Sequence, residues 1–296
     1  FETTATIRQK LKASDVEELP YIQGYLNAAG ISSYADIQKS TDVSSVLNEN
    51  ATVLNAERVL KVISDRVDAV NEYIGEETEI SMDFYVSINP QTAITKDNIQ
   101  LNCIDSLGNI VSTDEYLLPT YETMYQSGAE ELTATIEEIS STVEPMKNVD
   151  NWSNYNRIAA RDYARKWWGP YTSNYNPAYN NYVGKGGDCA NFVSQCVYAG
   201  GVPIHGGWSP DSVAWINAAS LKNNMLQYGY ATKEDAWETN AGNFAYTTAG
   251  QGHIVLVTLN DTVTLAYTAH TTNCKDQPFT QANINGGYSF YIIKNF

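Results

Sequence analysis

The chain has 296 residues, of which 43% are hydrophobic, so it is long enough for two domains of ordinary size and has the composition of a folded globular protein. The net charge of −16 argues against nucleic acid as a partner, because phosphate binding needs clustered Lys and Arg. No stretch approaches the ~20 consecutive apolar residues that a membrane helix requires, so no transmembrane segment is expected.

The charge changes sharply near residue 150. Residues 1–150 hold 9 Lys and Arg against 26 Asp and Glu, whereas residues 151–296 hold 9 against 8. All six tryptophans also follow residue 150. We therefore predict two domains with separate roles, an acidic region over 1–150 and a second domain over 151–296.

The first 78 residues are predicted to be helical. Ser14 to Glu17 has the S-x-x-E pattern of a capping box. Further on, apolar residues recur at three- and four-residue steps and predict one buried helix face, made of Val59, Ile63, Val67, Val70 and Ile74.

After this helical segment, the period of the apolar residues becomes two. Alternation over Ile80–Ile88 and over Ile99–Cys103 predicts two strands, and Asp105–Asn109 has the composition of a turn. The segment Leu132–Ile139 fits a strand or a helix. Residues 1–150 thus read as a helical segment followed by a small α+β region. They carry no recognisable chemistry and would position the second domain or bind a partner.

Beyond a predicted linker at 140–154, helices precede strands, an order typical of an α+β domain. Ser153 or Asn154 would cap the first helix. The predicted helices are Tyr155–Trp168, Asp188–Tyr198 and Ser212–Tyr228, and the predicted strands are Ile254–Leu259, Thr262–Ala269 and Tyr288–Ile293.

The four cysteines are too few for a disulfide scaffold, although Cys103–Cys274 and Cys196–Cys274 bonds remain open. No C-x-x-C pair is present, so neither a structural zinc site nor any cofactor is expected. Cys189 differs from the others because it follows two glycines and Asp188 at the start of a predicted helix. The partial positive charge of a helix N-terminus favours a thiolate, and this predicts a reactive nucleophile.

A nucleophilic thiol needs a base, and the chain offers three histidines. His253 opens an apolar strand and is the predicted base. His270 would lie near the same end of a hairpin and could orient His253, a role that Asn260, Asn273 or Asn283 could take instead. His205 has no such neighbours. A catalytic zinc held by Cys189, His253 and His270 is the less favoured alternative.

The segment Asp188–Cys196, followed by Ala199-Gly200-Gly201, resembles the D-C-x-N-F-V-S-Q-C…A-G-G motif of the amidase domain family of Gram-positive bacteria. The stretches around His253 (Gly252–Thr258) and His270 (Tyr267–Thr271) resemble that family's H-x-x-I-V and A-H-T segments. The resemblance covers about 151–296 and implies a papain-like fold, related to the NlpC-type and CHAP cell-wall hydrolases.

This resemblance implies cysteine-dependent hydrolysis of an amide or peptide bond, with peptidoglycan or a related extracellular peptide as the partner, through a thioester. Cys189 would be the nucleophile, His253 the base and His270 the orienting residue. It further implies that Asp188 holds a substrate amine. A catalytically silent binding or adhesion module and an acyl transferase are the alternatives. An extracellular or cell-surface location is expected, with a signal peptide already removed before Phe1.

Two aromatic residues are further candidates for substrate binding. Tyr182, seven residues before Cys189, could contact the substrate or the oxyanion. Trp208 could line a groove, because flat rings pack against sugars and peptides, or it could belong to the core.

Overall fold

The structure, a computed structural model, describes residues 1–39, 53–88, 91, 95, 98–105, 107–116, 118–141 and 155–294. The described part of the chain combines helices with two antiparallel sheets, and the predicted α+β class is confirmed. Residues 142–154 of the predicted linker and Ser106 of the predicted turn lie outside the described residues. No helix among the described residues combines the length and apolar character needed to cross a membrane.

The first half forms one sheet and a group of helices. Its strands pair antiparallel in chain order, and they are β1 (Glu2–Lys10), β2 (Glu77–Ile88), β3 (Ile99–Ile104) and β4 (Ile110–Ser112). Its helices are α1 (Pro20–Ala28), α2 (Tyr34–Lys39), α3 (Val53–Asn71) and α4 (Tyr121–Ser141), with 3-10 turns at Val16–Glu18 and Thr113–Tyr116.

The prediction that the chain starts as helix is wrong, because β1 pairs with β2 along its whole length, from Glu2 opposite Tyr85 to Lys10 opposite Glu77. Most of β1 is exposed, so its sequence lacks the apolar alternation that would reveal a strand. The distant partner β2 fixes its conformation. The strands predicted near Ile80–Ile88 and Ile99–Cys103 are confirmed as β2 and β3.

The predicted capping box is only partly correct. Asp15, and not Ser14, caps the 3-10 turn by accepting from the Glu17 backbone N–H at 2.8 Å. The carboxylate that accepts from Ser14 is that of Glu18, with distances of 3.0 Å to the Ser14 backbone N–H and 2.8 Å to its hydroxyl.

The buried face of α3 is confirmed, since Val59, Ile63, Val67 and Val70 lie in one core cluster, although Ile74 lies beyond the end of the helix. Helix α4 settles the ambiguous segment Leu132–Ile139 as helical.

The second half places helices against a six-stranded antiparallel sheet. The helices are α5 (Arg157–Trp167), α6 (Cys189–Ala199), α7 (Val213–Ile216) and α8 (Ala218–Gln227). The strands are β5 (Ala231–Glu234), β6 (Phe244–Thr247), β7 (His253–Asn260), β8 (Leu265–Ala269), β9 (Cys274–Pro278) and β10 (Ser289–Ile293), in the order β5-β10-β6-β7-β8-β9.

Strand β7 is buried from end to end because both faces of the sheet are covered. On one face, Ile254 and Leu256 pack with residues of α5, α6 and α8. On the other face, Val255 and Val257 pack with aromatic residues such as Tyr267. This burial explains why β7 reads as a continuous apolar run.

Three boundaries in the second half differ from prediction for local reasons. Asn156 caps α5 by accepting from the Ala159 N–H at 2.9 Å, whereas the predicted caps Ser153 and Asn154 lie outside the described residues. The helix predicted over Ser212–Tyr228 is two helices, because Asn217 has an extended backbone and caps α8. Strand β8 begins late, because Asp261 accepts from two backbone N–H groups and holds a turn.

The two halves contact each other through polar side chains as well as packing. Gln9 of β1 donates to the Thr264 hydroxyl at 2.9 Å. The Arg66 guanidinium donates to Asn240 Oδ1 at 2.6 Å and also to the Trp237 carbonyl. Gln277 of β9 donates to the Ile104 carbonyl at 2.7 Å. These contacts fix the end of β3 relative to the sheet that carries β7.

Candidate active site

Cys189 is the first residue of α6, as predicted. Gly186 and Gly187 precede it at φ of 106° and 104°, a region of backbone conformation that favours glycine. Asp188 is the N-cap residue, but its carboxylate makes no capping hydrogen bond. No side-chain cap therefore occupies the first-turn N–H groups of α6, and the N–H of Ala190 hydrogen-bonds to the Cys189 thiol.

Cys189 and His253 line the same cavity, which has a volume of about 500 Å³. The structure therefore brings together the two residues predicted as nucleophile and base. The other lining residues come from the loop before β7, the segment after β8, the loop before α6 and the first half of the chain, and are Leu107, Asn109, Gly186, Ala249, Gly250, Gln251, Gly252, Thr271 and Thr272.

His253 opens β7, where its backbone pairs with Thr247 of β6. Its side chain is buried, and its Nε2 has no hydrogen-bond partner among the described residues. Burial lowers the pKa of His253 to about 4, so the imidazole is neutral at physiological pH. A neutral imidazole keeps one unprotonated ring nitrogen, and that nitrogen can accept a proton.

The thiol of Cys189 behaves differently from the prediction made from its helix position alone. Burial raises the pKa of Cys189, and the backbone N–H groups of Ile254 and Ala190 only partly offset this by hydrogen bonding. The resting state therefore combines a neutral thiol and a neutral imidazole in one cavity. The helix position favours a thiolate, whereas desolvation of Cys189, which is 8% exposed, acts in the opposite direction.

His270 does not orient His253 by a hydrogen bond in this structure. Its Nδ1 lies 2.8 Å from Asp188 Oδ2 and its Nε2 lies 2.7 Å from the Trp167 carbonyl oxygen. Both ring nitrogens of His270 are therefore engaged in hydrogen bonds. With both nitrogens engaged, His270 also cannot join Cys189 and His253 as a zinc ligand.

The ring of His270 lies between two aromatic side chains. Phe192 stacks on it at a centroid distance of 4.0 Å and Tyr175 at 5.4 Å. Asp188 and Phe192 are four residues apart around the first turn of α6, so they reach the same ring. This packing explains why aspartate and phenylalanine occur at those two positions of the cysteine motif.

Asp188 is fully buried, and the prediction that it binds a substrate amine is not supported by its surroundings. Its Oδ1 accepts from the Tyr182 N–H at 3.0 Å, from Asn191 Nδ2 at 2.9 Å and from the Tyr175 hydroxyl at 3.2 Å. With Oδ2 on His270, no side of the carboxylate faces the cavity. Asp188 instead holds the loop before Cys189 against α6 and β8.

Tyr182 and Trp208, the two aromatic candidates, do not line the cavity around Cys189. The Tyr182 hydroxyl donates to Asp211 Oδ1 at 2.6 Å. Trp208 is fully buried and donates to the Ser194 hydroxyl at 3.1 Å, so it belongs to the core. The predicted substrate roles of both residues find no support in their positions.

The three asparagines considered as orienting residues are placed elsewhere. Asn260 donates to the carbonyls of Trp237 and Thr239 at the far end of β7. Asn283 accepts from the Thr280 N–H, and Asn273 is exposed. Within the described ranges, no third side chain is hydrogen-bonded to the ring of His253.

Thr271 is a residue of the site that sequence reasoning missed. It lines the cavity, and its hydroxyl accepts from the Asp188 N–H at 2.8 Å. Its φ of 84° is unfavourable for a β-branched residue, and such strain persists mainly where surrounding contacts impose it. The only signal in the sequence is its place directly after His270. Thr271 ties the end of β8 to the N-cap residue of α6 and so fixes the cavity wall.

Comparison with known proteins finds a family whose model matches the part of the chain that carries this site. Residues 154–293 match a family model described as "Putative amidase domain". The resemblance predicted from the cysteine motif is thereby confirmed over those residues, and the family's description indicates hydrolysis of an amide C–N bond. The matched range contains Cys189 and His253 but not the residues of the first half that line the cavity.

Two proteins of Bacillus subtilis (strain 168) are similar to parts of the chain. Uncharacterized protein YhbB is 35% identical over 80 residues, which make up 25% of this chain and 24% of that protein. Uncharacterized protein YjcM is 28% identical over 153 residues, which make up 47% of this chain and 36% of that protein. The chain thus spans about a quarter and about a third of these relatives. No solved structure matches the chain.

Proposed function

We propose that residues 151–296 form a papain-like cysteine amidase domain that hydrolyses an amide or peptide bond of peptidoglycan or a related extracellular peptide. One observation carries the proposal. The Cys189 thiol and the buried His253, whose Nε2 has no partner among the described residues, line one cavity at the N-terminus of α6. The amidase description of the matching family supports the reaction class.

The reaction starts from the neutral pair. His253 accepts the thiol proton as the Cys189 sulfur attacks the carbonyl carbon of the substrate amide. The N–H groups at the start of α6, which face the Cys189 thiol, stabilise the oxyanion of the tetrahedral intermediate. The C–N bond then breaks, the protonated His253 gives its proton to the leaving amine, and a thioester to Cys189 remains.

Water completes the cycle. His253 takes a proton from the water that attacks the thioester, the C–S bond breaks, and the proton returns to the sulfur of Cys189. The products are an amine and a carboxylic acid, and the enzyme regains its thiol. Proton transfer during attack compensates for the raised pKa of Cys189, since no standing thiolate is required.

The helix-then-sheet order, with a cysteine opening α6 and a histidine opening β7, supports the papain-like assignment. The extracellular location is part of the same proposal, because it follows from the substrate class. A catalytically silent binding module is the second candidate. It is favoured by one observation, which is that no third residue orients His253 among those that the structure describes.

Release of amino groups from purified peptidoglycan tests the proposal. The intact protein and a Cys103→Ala control should release amine, because Cys103 is buried in the first half. Cys189→Ala should lose at least about a thousandfold in rate. Equal release by Cys189→Ala would reject the nucleophile. No release by the intact protein would favour the silent module.

A further inference from the structure

Part of the wall of the Cys189 cavity comes from the acidic first half of the chain. Leu107 and Asn109 both line the cavity, and both belong to the tip of the β3–β4 hairpin. The matching amidase family covers only residues 154–293, so this hairpin is an addition to the family's own domain.

The hairpin tip is held in one conformation by the carboxylate of Asp105, which is 8% exposed. Asp105 Oδ1 accepts from the backbone N–H groups of Leu107 and Asn109 at 2.9 and 2.8 Å, and Oδ2 accepts from Asn109 Nδ2 at 3.0 Å. Gly108 supplies the φ of 81° that the turn requires. A turn with these bonds is preorganised and does not need a ligand to form.

The end of β3, next to the hairpin tip, is fixed to the sheet that carries the proposed catalytic residues. Gln277 of β9 donates to the carbonyl of Ile104, the last residue of β3. Below it, Ile80 of β2 packs in a core cluster with Leu259 and Ala266 of β7 and β8. The Gln277–Ile104 hydrogen bond and the packing of Ile80 both join the first half to this sheet. These two contacts hold the hairpin tip beside the cavity.

The side chains that line the cavity carry no formal charge at neutral pH. Leu107 is the one large apolar side chain among the lining residues. The polar side chains are those of Asn109, Cys189, Gln251, His253, Thr271 and Thr272, and the imidazole of His253 is neutral. Asp188, the nearest carboxylate along the chain, is sealed in the interior. An uncharged amide- and hydroxyl-lined cleft binds neutral groups better than ions, which would lose hydration without compensation.

We propose that the β3–β4 hairpin tip is a specificity-determining wall of the active site, so that the substrate-binding cleft is built by both halves of the chain. This inference rests on the proposed function. The substrate class follows from the lining: an uncharged stretch of peptide enters the cleft, with its free termini and ionised side chains outside. Leu107 contacts an apolar group of that stretch, and Asn109 hydrogen-bonds its amides.

Alkylation of Cys189 tests the position of the wall without any substrate. Leu107→Lys adds a positive charge at the cavity, whereas Ile110→Lys adds the same charge to the same hairpin at a residue that is 53% exposed and does not line the cavity. Iodoacetate, an anion, and neutral iodoacetamide are compared at low ionic strength. Leu107→Lys should raise the iodoacetate-to-iodoacetamide rate ratio about two- to threefold over Ile110→Lys. Equal rate ratios for the two variants would show that Leu107 does not border Cys189.

Amine release from peptidoglycan then tests specificity. Leu107→Lys should lower kcat/KM by about tenfold or more, because its ammonium must be desolvated by the substrate, while Ile110→Lys should stay within about twofold of the unmodified protein. Equal values for both variants would overturn the specificity role even if the alkylation ratio places Leu107 at the wall. If the intact protein releases no amine, the proposed function fails, and the alkylation ratio still decides whether the hairpin borders Cys189.

Discussion

At the scale of single residues, burial sets the chemistry of the two proposed catalytic groups. It lowers the pKa of His253 to about 4 and raises the pKa of Cys189 above its usual value. Between these two pKa values both groups are neutral, so one protonation state is present over a wide range of pH.

The pH profile of kcat/KM follows from this neutral pair. His253 must be unprotonated to act as a base, so activity should fall on the acid side with an apparent pKa near 4 and stay level through neutrality. The profile is measured on peptidoglycan, with circular dichroism at each pH to confirm folding. An acid limb near 6.5, the ordinary histidine value, would contradict the buried neutral base.

The sequence predicted Cys189 and His253 because each carries a local signal, a glycine-flanked helix start and an apolar strand. It could not predict the role of Asp188 or His270. Their hydrogen bond joins residues 82 positions apart, and it depends on how the loop before α6 folds around Tyr175 and Tyr182. A carboxylate next to a nucleophile looks like a binding residue until its partners are known.

At the scale of elements, α1 and α4 cross at the distance that two glycines allow. A Cβ added to Gly24 would lie 1.9 Å from the Tyr125 carbonyl oxygen, and one added to Gly128 would lie 2.0 Å from that of Tyr21. Backbone atoms cannot move away as a flexible side chain could. The crossing therefore accepts only glycine at these two positions.

Gly24→Ala should lower the free energy of unfolding by about 3 kcal/mol or more, because the methyl group forces the two helices apart. Urea unfolding is the measurement. Ser127→Ala, on α4 beside Gly128, is the matched control and should change stability little. A Gly24→Ala variant as stable as the control would show that the helices do not cross this closely.

A second element-scale feature is the acidic end of β5, where Glu238 lies beside Glu234 and Asp235. Burial, followed by the hydrogen bond and charge of Glu234, raises the pKa of Glu238 to about 8. Because this pKa is raised on folding, the protonated Glu238 contributes to the free energy of unfolding in full below pH 4.5, and the contribution is lost as the pH rises through 8.

Glu238→Gln removes this loss because the amide does not ionise. The variant should be more stable than the unmodified protein by on the order of 1 kcal/mol at pH 9, with a smaller difference at pH 5. Thermal unfolding at both pH values measures it, and the exposed Glu137→Gln on α4 is the control. A difference that does not grow with pH would reject the raised pKa of Glu238.

Element prediction succeeded where packing is local and failed where pairing is distant. The strand β7 and the helix α6 carry their own apolar patterns and were predicted within a residue or two. Strand β1 is mostly exposed and takes its register from β2, more than sixty residues away. The short strands β5 and β9 were not predicted because each contains charged residues and no apolar run, and β6 has only four residues.

At the scale of the whole molecule, one buried cation links the halves. The Arg66 side chain is 4% exposed, lies 4.6 Å over the Tyr21 ring, and donates to Asn240 and to the Trp237 carbonyl of the second half. Burial lowers its pKa to about 10, so it stays charged. The two-domain division at residue 150 is a prediction that this contact can test.

Arg66→Leu should cost about 2–3 kcal/mol, because Asn240 Oδ1 and the Trp237 carbonyl lose their charged donor, although Asn260 still donates to that carbonyl. If 1–150 and 151–296 are separate domains, calorimetry should then resolve two unfolding transitions in place of one. Arg8→Ala, which removes an exposed ion pair with Glu79 inside the first half, should leave the trace unchanged. A single unshifted transition for Arg66→Leu would contradict the account of the interface.

The most direct test of the central claim is mass spectrometry of the protein quenched with acid while it turns over soluble muropeptides. The account predicts an acyl adduct on the peptide that contains Cys189, released by hydroxylamine as a thioester should be and missing from Cys189→Ala. Turnover that continues in Cys189→Ala, or an adduct on another residue, would contradict Cys189 as the nucleophile.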